Sequence, residues 1–221
     1  MSPTPDADSP GQATIAAAPP IQPRWEWRIF EPFPGAFISS VRPPEVGGVE
    51  SIETYILSAA SPHNVKLRDG QLDVKLLQET RAGELELWRP VFKQSFPVDA
   101  RDLAPVWDAW ALPPPVLHPT SYSIEQFLHD IVASTPALSA VTIAKQRARF
   151  TIRGCRAERA IVTAAGSRWD TLAIEDEDPD QILLAQRTFD RALPRGTNYP
   201  AMLKRIAAAS ATLTPSTRVL I

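Results

Sequence analysis

The chain carries one cysteine, Cys155, in 221 residues, which excludes an intrachain disulfide framework and a cysteine-rich zinc site and fits a reducing compartment. No apolar run approaches the roughly 18 residues of a membrane-spanning helix, and the Met-Ser-Pro-Thr-Pro start lacks the basic and apolar regions of a secretory signal. Charge of either sign is not in excess: 23 Lys and Arg against 25 Asp and Glu leave a net -2. That balance offers no broad footprint for the backbone of duplex nucleic acid. There is no GxxxxGK phosphate loop and no HExxH pair, and His63, His118 and His129 fall on unrelated segments, so ordinary roles are expected of them. Together these absences read as a soluble, cytoplasmic protein with no membrane partner, either a monomer or a homodimer.

What is abundant is proline, 23 residues, about twice the usual share. It is concentrated outside the candidate strands. Residues 1–22 are rich in Pro, Ala, Ser and Asp with almost nothing to pack, and read as a disordered tail that is dispensable for folding. The stretch 31–50, with Pro32, Pro34, Pro43, Pro44 and three glycines, reads as a long loop, and 84–98 reads as one or two short strands broken at Pro90. The interval 99–120, with Pro113 to Pro115 in a row, also reads as loop.

The organising stretch is residues 141–150, VTIAKQRARF. Lys145, Arg147 and Arg149 recur at every second position, so on a strand they stand in one column on one face. Like charges in a column weaken a sheet unless solvent, carboxylates or a bound anion offset them. The pattern repeats elsewhere. Residues 24–30, RWEWRIF, alternate Trp25, Trp27 and Ile29 with Arg24, Glu26 and Arg28. Residues 63–80 form an expected hairpin about Asp69-Gly70, with Lys66 and Arg68 on one arm and Asp73 and Lys75 on the other. SIETYILSA, 51–59, and RWDTLAIEDED, 168–178, complete the strand inventory, with a turn near Gly154. Helices are expected over 123–134, from Pro179 through Phe189, and over 199–209.

Seven or eight antiparallel strands with two or three helices give an α+β protein. Two arrangements suit strands charged on one face. A sandwich would leave those faces in solvent, where ion pairs are worth little. A closed barrel would turn them into a shared polar lumen, where Lys66, Arg68, Lys75, Lys145, Arg147 and Arg149 converge on a compact polyanion. Glu26, Asp73, Glu158, Glu175 and Glu177 supply the opposite sign, and carboxylates beside phosphates are the oxygen ligands that Mg²⁺ or Mn²⁺ prefers.

At this point the charged strands resemble the CYTH superfamily, the triphosphate tunnel metalloenzymes, over about Arg24 to Arg205. That family opens on a Glu-x-Glu-x-Lys strand. Here Glu26 matches the second glutamate, Arg28 the lysine, and Arg24 stands in place of the first glutamate, so the motif is degenerate. Val65-Lys66-Leu67-Arg68, Leu72-Asp73-Val74-Lys75 and Lys145-Gln146-Arg147 are similar to its basic strands. Glu158 lies where a family acid follows, and its late Glu-x-Glu strand is matched either by Ala173-Ile174-Glu175 or by Glu175-Asp176-Glu177. Asn198-Tyr199 is similar to a C-terminal Ser-Tyr helix start.

The resemblance implies an eight-stranded antiparallel β-barrel, or tunnel, with flanking helices. Residues 23–210 would be the single domain and 211–221 a C-terminal tail. It implies phosphate binding by Arg28, Lys66, Arg68, Lys75, Lys145, Arg147 and Arg149, and Mg²⁺ or Mn²⁺ held by Glu26, Glu158, Glu175 and Glu177. Glu26, Glu175 and Glu177 would be catalytic, with Asp73 and Arg24 as further site residues. The implied activity is metal-dependent hydrolysis of a small triphosphate or polyphosphate compound. The alternatives are a non-catalytic phosphate-compound binder or sensor, which Arg24 favours, and an adenylate cyclase.

Overall fold

The computed structural model describes residues 22–41, 48–117, 119–189 and 191–212. Eight strands close into one antiparallel barrel: β1 (Arg24–Pro32), β2 (Val49–Ser58), β3 (Asn64–Arg68), β4 (Gln71–Arg81), β5 (Leu85–Ser95), β8 (Leu138–Ile152), β9 (Cys155–Ala164) and β10 (Ser167–Asp176). Their order around the wall is β1-β10-β9-β8-β2-β3-β4-β5, and β5 pairs back on β1. Closure leaves no barrel edge unpaired. Three of the connections are two-residue turns, Asp69-Gly70, Arg153-Gly154 and Ala165-Gly166, in which both residues have positive φ. That is the conformation a tight hairpin requires of a right-twisted ribbon, and glycine takes its second place without strain.

Two hydrophobic layers pack on the outside of the wall. Ile56, Val65, Leu67, Leu72, Val74 and Phe92 are covered by helix α1 (Ala104–Trp110) through Trp107 and Trp110, and by Phe127 and Ile131 of the segment begun by α2 (Ile124–Gln126). Trp25, Trp27, Ile29, Leu172 and Ile174 are covered by Ile182 and Ala185 of α3 (Pro179–Gln186) and by Phe37 and Ile38. A short pair, β6 (Val98–Asp99) and β7 (Ser121–Tyr122), ties the α1 segment down.

The third layer lies inside the barrel. Helix α4 (Tyr199–Thr212) inserts Tyr199, Met202, Leu203 and Ile206 against Tyr55, Leu57, Ile143, Val162, Ala164 and the neighbouring Phe30, Val141 and Trp169. Phe30 has the same strand parity as Arg28, Ile143 the same as Lys145, and Val162 the same as Glu158, so all three face inward. Along each of these strands the lumen face changes from charged to apolar, and α4 fills the apolar end.

Four expectations need correction. Pro90 does not break β5: the register passes from Val74 opposite Phe92 to Lys75 opposite Pro90, so a bulge at Val91 absorbs the residue without an N–H. The interval 99–120 is not all loop, because a 3-10 turn, Ala100–Leu103, leads into α1 with a proline in its first turn. The 123–134 helix starts at a Ser123-Gln126 capping box, but Phe127–Val132 is π-helical. Residues 211 and 212 belong to α4 rather than to a tail. His118, most of the 1–22 tail and residues 213–221 lie outside the described residues. No helix among the described residues is long and apolar enough to cross a membrane.

Candidate functional site

The charged half of the lumen is a cavity of about 180 Å³, in which Arg28, Lys66, Arg68, Lys75, Lys145, Arg147 and Arg149 face Glu26, Asp73, Glu158 and Glu175. They come from β1, β3, β4, β8, β9 and β10, brought together by the period of two and by closure. Asn64, Tyr55, Trp88, Asn198, Tyr199 and Pro200 complete the lining. A mouth chamber of about 520 Å³ adjoins it and adds Arg24, Lys93 and Arg156. The cavity is graded in depth. Along β8 the side chains are 69% exposed at Arg149, 11% at Arg147 and 4% at Lys145. The shallow end opens to solvent, and the deep end is closed by Tyr199 and the apolar layer behind it.

Two acids tie the cations into a rigid array. Glu53, fully buried under the lining, accepts from Lys66 Nζ at 3.0 Å and the Tyr55 hydroxyl at 3.1 Å, with Arg68 and Arg147 guanidinium nitrogens at 3.7 and 3.8 Å. Burial works against its charge, but Lys66, Lys145 and Arg68 outweigh it and hold the carboxyl at about 2. Glu158 accepts from Lys145 Nζ at 2.7 Å and lies 3.7 Å from Arg28 and 3.9 Å from Arg147. Burial again opposes the charge, and Lys145 and Arg28 bring its carboxyl to about 2.

Arg28, buried at the deep end, donates to Glu26 at 2.7 Å and to the Thr171 hydroxyl at 3.2 Å, with its guanidinium 4.8 Å from the Tyr199 ring centre. Such a site pays desolvation for a charge it then holds firmly through several partners.

Three carboxylates form a row across neighbouring strands, since Glu26 is the register partner of both Glu175 and Glu86. Burial raises Glu26 less than Arg28 and Lys75 lower it, so Glu26 holds the charge of the pair. Burial and the facing Glu26 push Glu175 upward. Burial also raises Glu86, which accepts from Asn198 at 2.7 Å and from the Trp88 indole at 3.2 Å.

Glu177 is set apart from these acids. Strand β10 ends at Asp176, so Glu177 leaves the inward column and accepts from Arg24 at the rim at 2.7 Å, with more than half of its side chain exposed. Of the two registers left open for the late acidic strand, the one ending at Glu175 faces the lumen. Among the described residues no three His, Cys, Asp or Glu side chains gather into a cluster that could hold a metal ion.

Lys66 gives a measurable consequence. Burial, aided by Lys145 and Arg68 and opposed by Glu53, lowers its ammonium to about 8. An anion beside it favours the charged form. Affinity for any anion held beside Lys66, with tripolyphosphate as the probe, is therefore expected to have a component that is full below pH 8 and falls by up to about tenfold per unit above it. Titration calorimetry from pH 7 to 10 should show this decline in the parent and not in Lys66→Arg, whose guanidinium stays charged. Equal profiles would remove Lys66 from the ligand's surroundings.

Sequence reasoning passed over Glu53, Glu86 and Tyr199 as lumen residues. The signal for Glu53 was its parity with Tyr55, and for Tyr199 the switch from charged to apolar residues along the inward columns.

No family model matches the chain, and no curated protein does. Among solved structures it is similar to a protein from Bacillus halodurans described as a candidate adenylate cyclase, with 11% identity and a TM-score of 0.47, over 82% of this chain and 98% of that one. It is also similar to a candidate adenylyl cyclase from Hippeastrum described as having a dominant triphosphatase activity, with 10% identity and a TM-score of 0.38, over 85% of this chain and 88% of that one.

Proposed function

We propose that this protein binds a small triphosphate or polyphosphate compound in the basic half of its barrel without a productive metal, as a phosphate-compound binder or sensor. The observation that carries this reading is the charge arrangement of the closed-ended cavity. Seven cationic side chains line it against four acids, and two of those acids, Glu26 and Glu158, are already bound to lysine or arginine at 2.7 Å. The excess is positive, preorganised by Glu53 and Glu158, and partly withdrawn from water, which strengthens its pull on a polyanion. Arginine forks and lysine point charges are the donors that phosphate oxygens select.

The donors present do not fit a Mg²⁺ or Mn²⁺ seat. Glu26 lies between Arg24 and Arg28 on its own strand with the Arg28 guanidinium in contact, and Glu158 is taken by Lys145. A divalent cation at either carboxylate would be set against a guanidinium or ammonium already in place. Metal-dependent hydrolysis is the second reading, and it rests on the facing of Glu26 and Glu175 beside the basic array.

Titration of the full chain with tripolyphosphate, in Mg²⁺, in Mn²⁺ and in EDTA, separates the two. Binding unaffected by EDTA, without phosphate release, and weakened about tenfold or more in Lys145→Ala is expected, because hydrogen bonds to charged groups contribute about 1.5–3 kcal/mol. Metal-dependent release of phosphate that disappears in Glu26→Gln or Glu175→Gln would establish hydrolysis instead. Duplex DNA binding as tightly, with a steep salt dependence, would overturn both.

A further inference from the structure

We propose that residues 1–21 are a built-in occupant of the mouth chamber, and that a polyanion must displace them to reach the lumen. The placement of these residues over the chamber is independent of any ligand, and the competition rests on the phosphate-binding reading above.

The point from which the segment departs is fixed. Residues 1–21 lie outside the described residues, and Gln22, to which they connect, stands on the wall of the chamber of about 520 Å³. Every strand of the barrel has two neighbours, but the closing seam is short: β1 pairs with β5 only from Arg24 opposite Trp88 to Glu26 opposite Glu86. Beyond Trp88, residues 89–95 of β5 continue past the start of β1 with β4 on one side and, among the described residues, no strand on the other. Such an overhang presents backbone N–H and C=O groups to an added segment, and the residues that lead into β1 are already in line with it. Pro19, Pro20 and Pro23 carry carbonyls but no N–H. They can accept from the overhang without completing a ladder, which makes for a contact that a ligand can displace.

The composition of the segment matches that of the chamber. Five cations line the chamber against three acids. Arg24 is paired with Glu177 and Arg68 with Glu53, whereas Lys93 and Arg156 are exposed and form no ion pair among the described residues. Residues 1–21 contain no lysine or arginine, and their two charged side chains are Asp6 and Asp8. On the β5 side the chamber wall is apolar, with Trp88, Pro90 and Val91, and the stretch 15–21, IAAAPPI, is apolar as well. At about 3.3 Å per residue the chain from Asp8 to Gln22 reaches up to about 46 Å. That is enough to follow the overhang, roughly 23 Å long, and return to Lys93 and Arg156. Seated there, the two acids offset at the rim the positive charge that draws a polyanion inward.

The test places a nitroxide on Ser9→Cys of the full chain, in which the native Cys155 is buried away from the label. The indole resonance of Trp88, in the chamber, is expected to broaden strongly, and that of Trp107, packed on the outer wall, much less. Tripolyphosphate should remove the Trp88 broadening, and Asp6→Asn with Asp8→Asn should reduce it. In calorimetry at low salt the same two substitutions are expected to raise tripolyphosphate affinity about three- to tenfold, the size of two exposed ion pairs. Asp108→Asn with Asp130→Asn makes the same change in net charge away from the chamber lining and should leave the affinity unchanged. Trp88 broadening no greater than that of Trp107, or unchanged by Asp6→Asn with Asp8→Asn, overturns the placement of the segment whether or not the protein binds phosphate. Broadening that responds to these substitutions, with an affinity that does not, overturns the competition alone. Failure of the parent to bind tripolyphosphate while Trp88 is broadened overturns the phosphate-binding reading and the competition, and supports the placement.

Discussion

Arg28→Ala is expected to lower stability by about 3–5 kcal/mol, the range for removing one partner of a buried ion pair, and to lower tripolyphosphate affinity by more than any other single lining substitution. The reason is the number of groups the guanidinium serves. It holds Glu26 at 2.7 Å, reaches Glu158 at 3.7 Å, donates to Thr171 and lies over the Tyr199 ring. Removing it leaves Glu26 facing Glu175 and Glu86 without its 2.7 Å partner, at a carboxylate only 16% exposed that has given up most of its hydration. The lost packing over Tyr199 loosens the floor as well. Urea unfolding at pH 7 measures the first effect and calorimetry at a temperature where the variant is folded measures the second. Arg28→Lys should recover part of the charge but not the two separate hydrogen bonds, from Nε to Glu26 and from Nη1 to Thr171, and so fall between alanine and the parent. A stability loss below about 1 kcal/mol would mean that the pair is solvated like a surface pair and that the deep end of the lumen is wetter than its burial implies.

The parts of the fold that could be read from the sequence are those in which one residue's chemistry decides a local geometry. Lys145, Arg147 and Arg149 share a face because a strand has a period of two, and the structure turns that face inward. Asp69-Gly70 makes a hairpin because the turn needs positive φ at both positions. Other features depend on partners far away in the chain. Glu53 is 13 residues from Lys66 and lies 3.8 Å from Arg147 of the neighbouring strand β8, and on β2 only its parity with Tyr55 hints that it faces these cations. Pro90 reads as a breaker until a bulge opposite Lys75 gives it a place without an N–H. Trp107 and Trp110 lie in a short helix surrounded by prolines, and only the exposed apolar wall of β3, β4 and β5 explains why that helix forms. Glu177 continues the parity of Glu175 in sequence, yet the strand stops between them. The apolar stripe of α4 was visible as a helix, whereas its place inside the barrel depends on Phe30, Ile143 and Val162 presenting apolar groups to a lumen that is charged two to four residues nearer the mouth.

Stability is expected to collapse in acid more steeply than an ordinary carboxylate count suggests, because Glu53 and Glu158 are both held at about 2 by neighbouring cations. A carboxylate depressed on folding contributes stability that is fully present above its unfolded value, near 4.5, and is lost as pH falls through its folded value, near 2. The window is therefore pH 4.5 to 2. A shift of this size corresponds to on the order of 3 kcal/mol for each group, and the two are not additive because Arg147 lies between them. Protonation also leaves Lys66, Arg68, Lys145 and Arg147 facing one another without their counter-charges, which adds repulsion inside the barrel. Urea unfolding at pH 7, 4.5, 3 and 2 should show little change to pH 4.5 and a loss of several kcal/mol below it. Glu53→Gln should be less stable than the parent at pH 7 and show a flatter decline below pH 4.5, since one of the two titrating groups is gone. Because the same cations are the proposed phosphate cradle, a polyanion takes over the role of the lost carboxylates: tripolyphosphate added at pH 3 should restore much of the parent's stability, and sodium chloride at equal ionic strength should not. A parent whose stability is level from pH 4.5 to 2, or whose acid loss is reversed equally by chloride and tripolyphosphate, would show that Glu53 and Glu158 do not hold the basic array together.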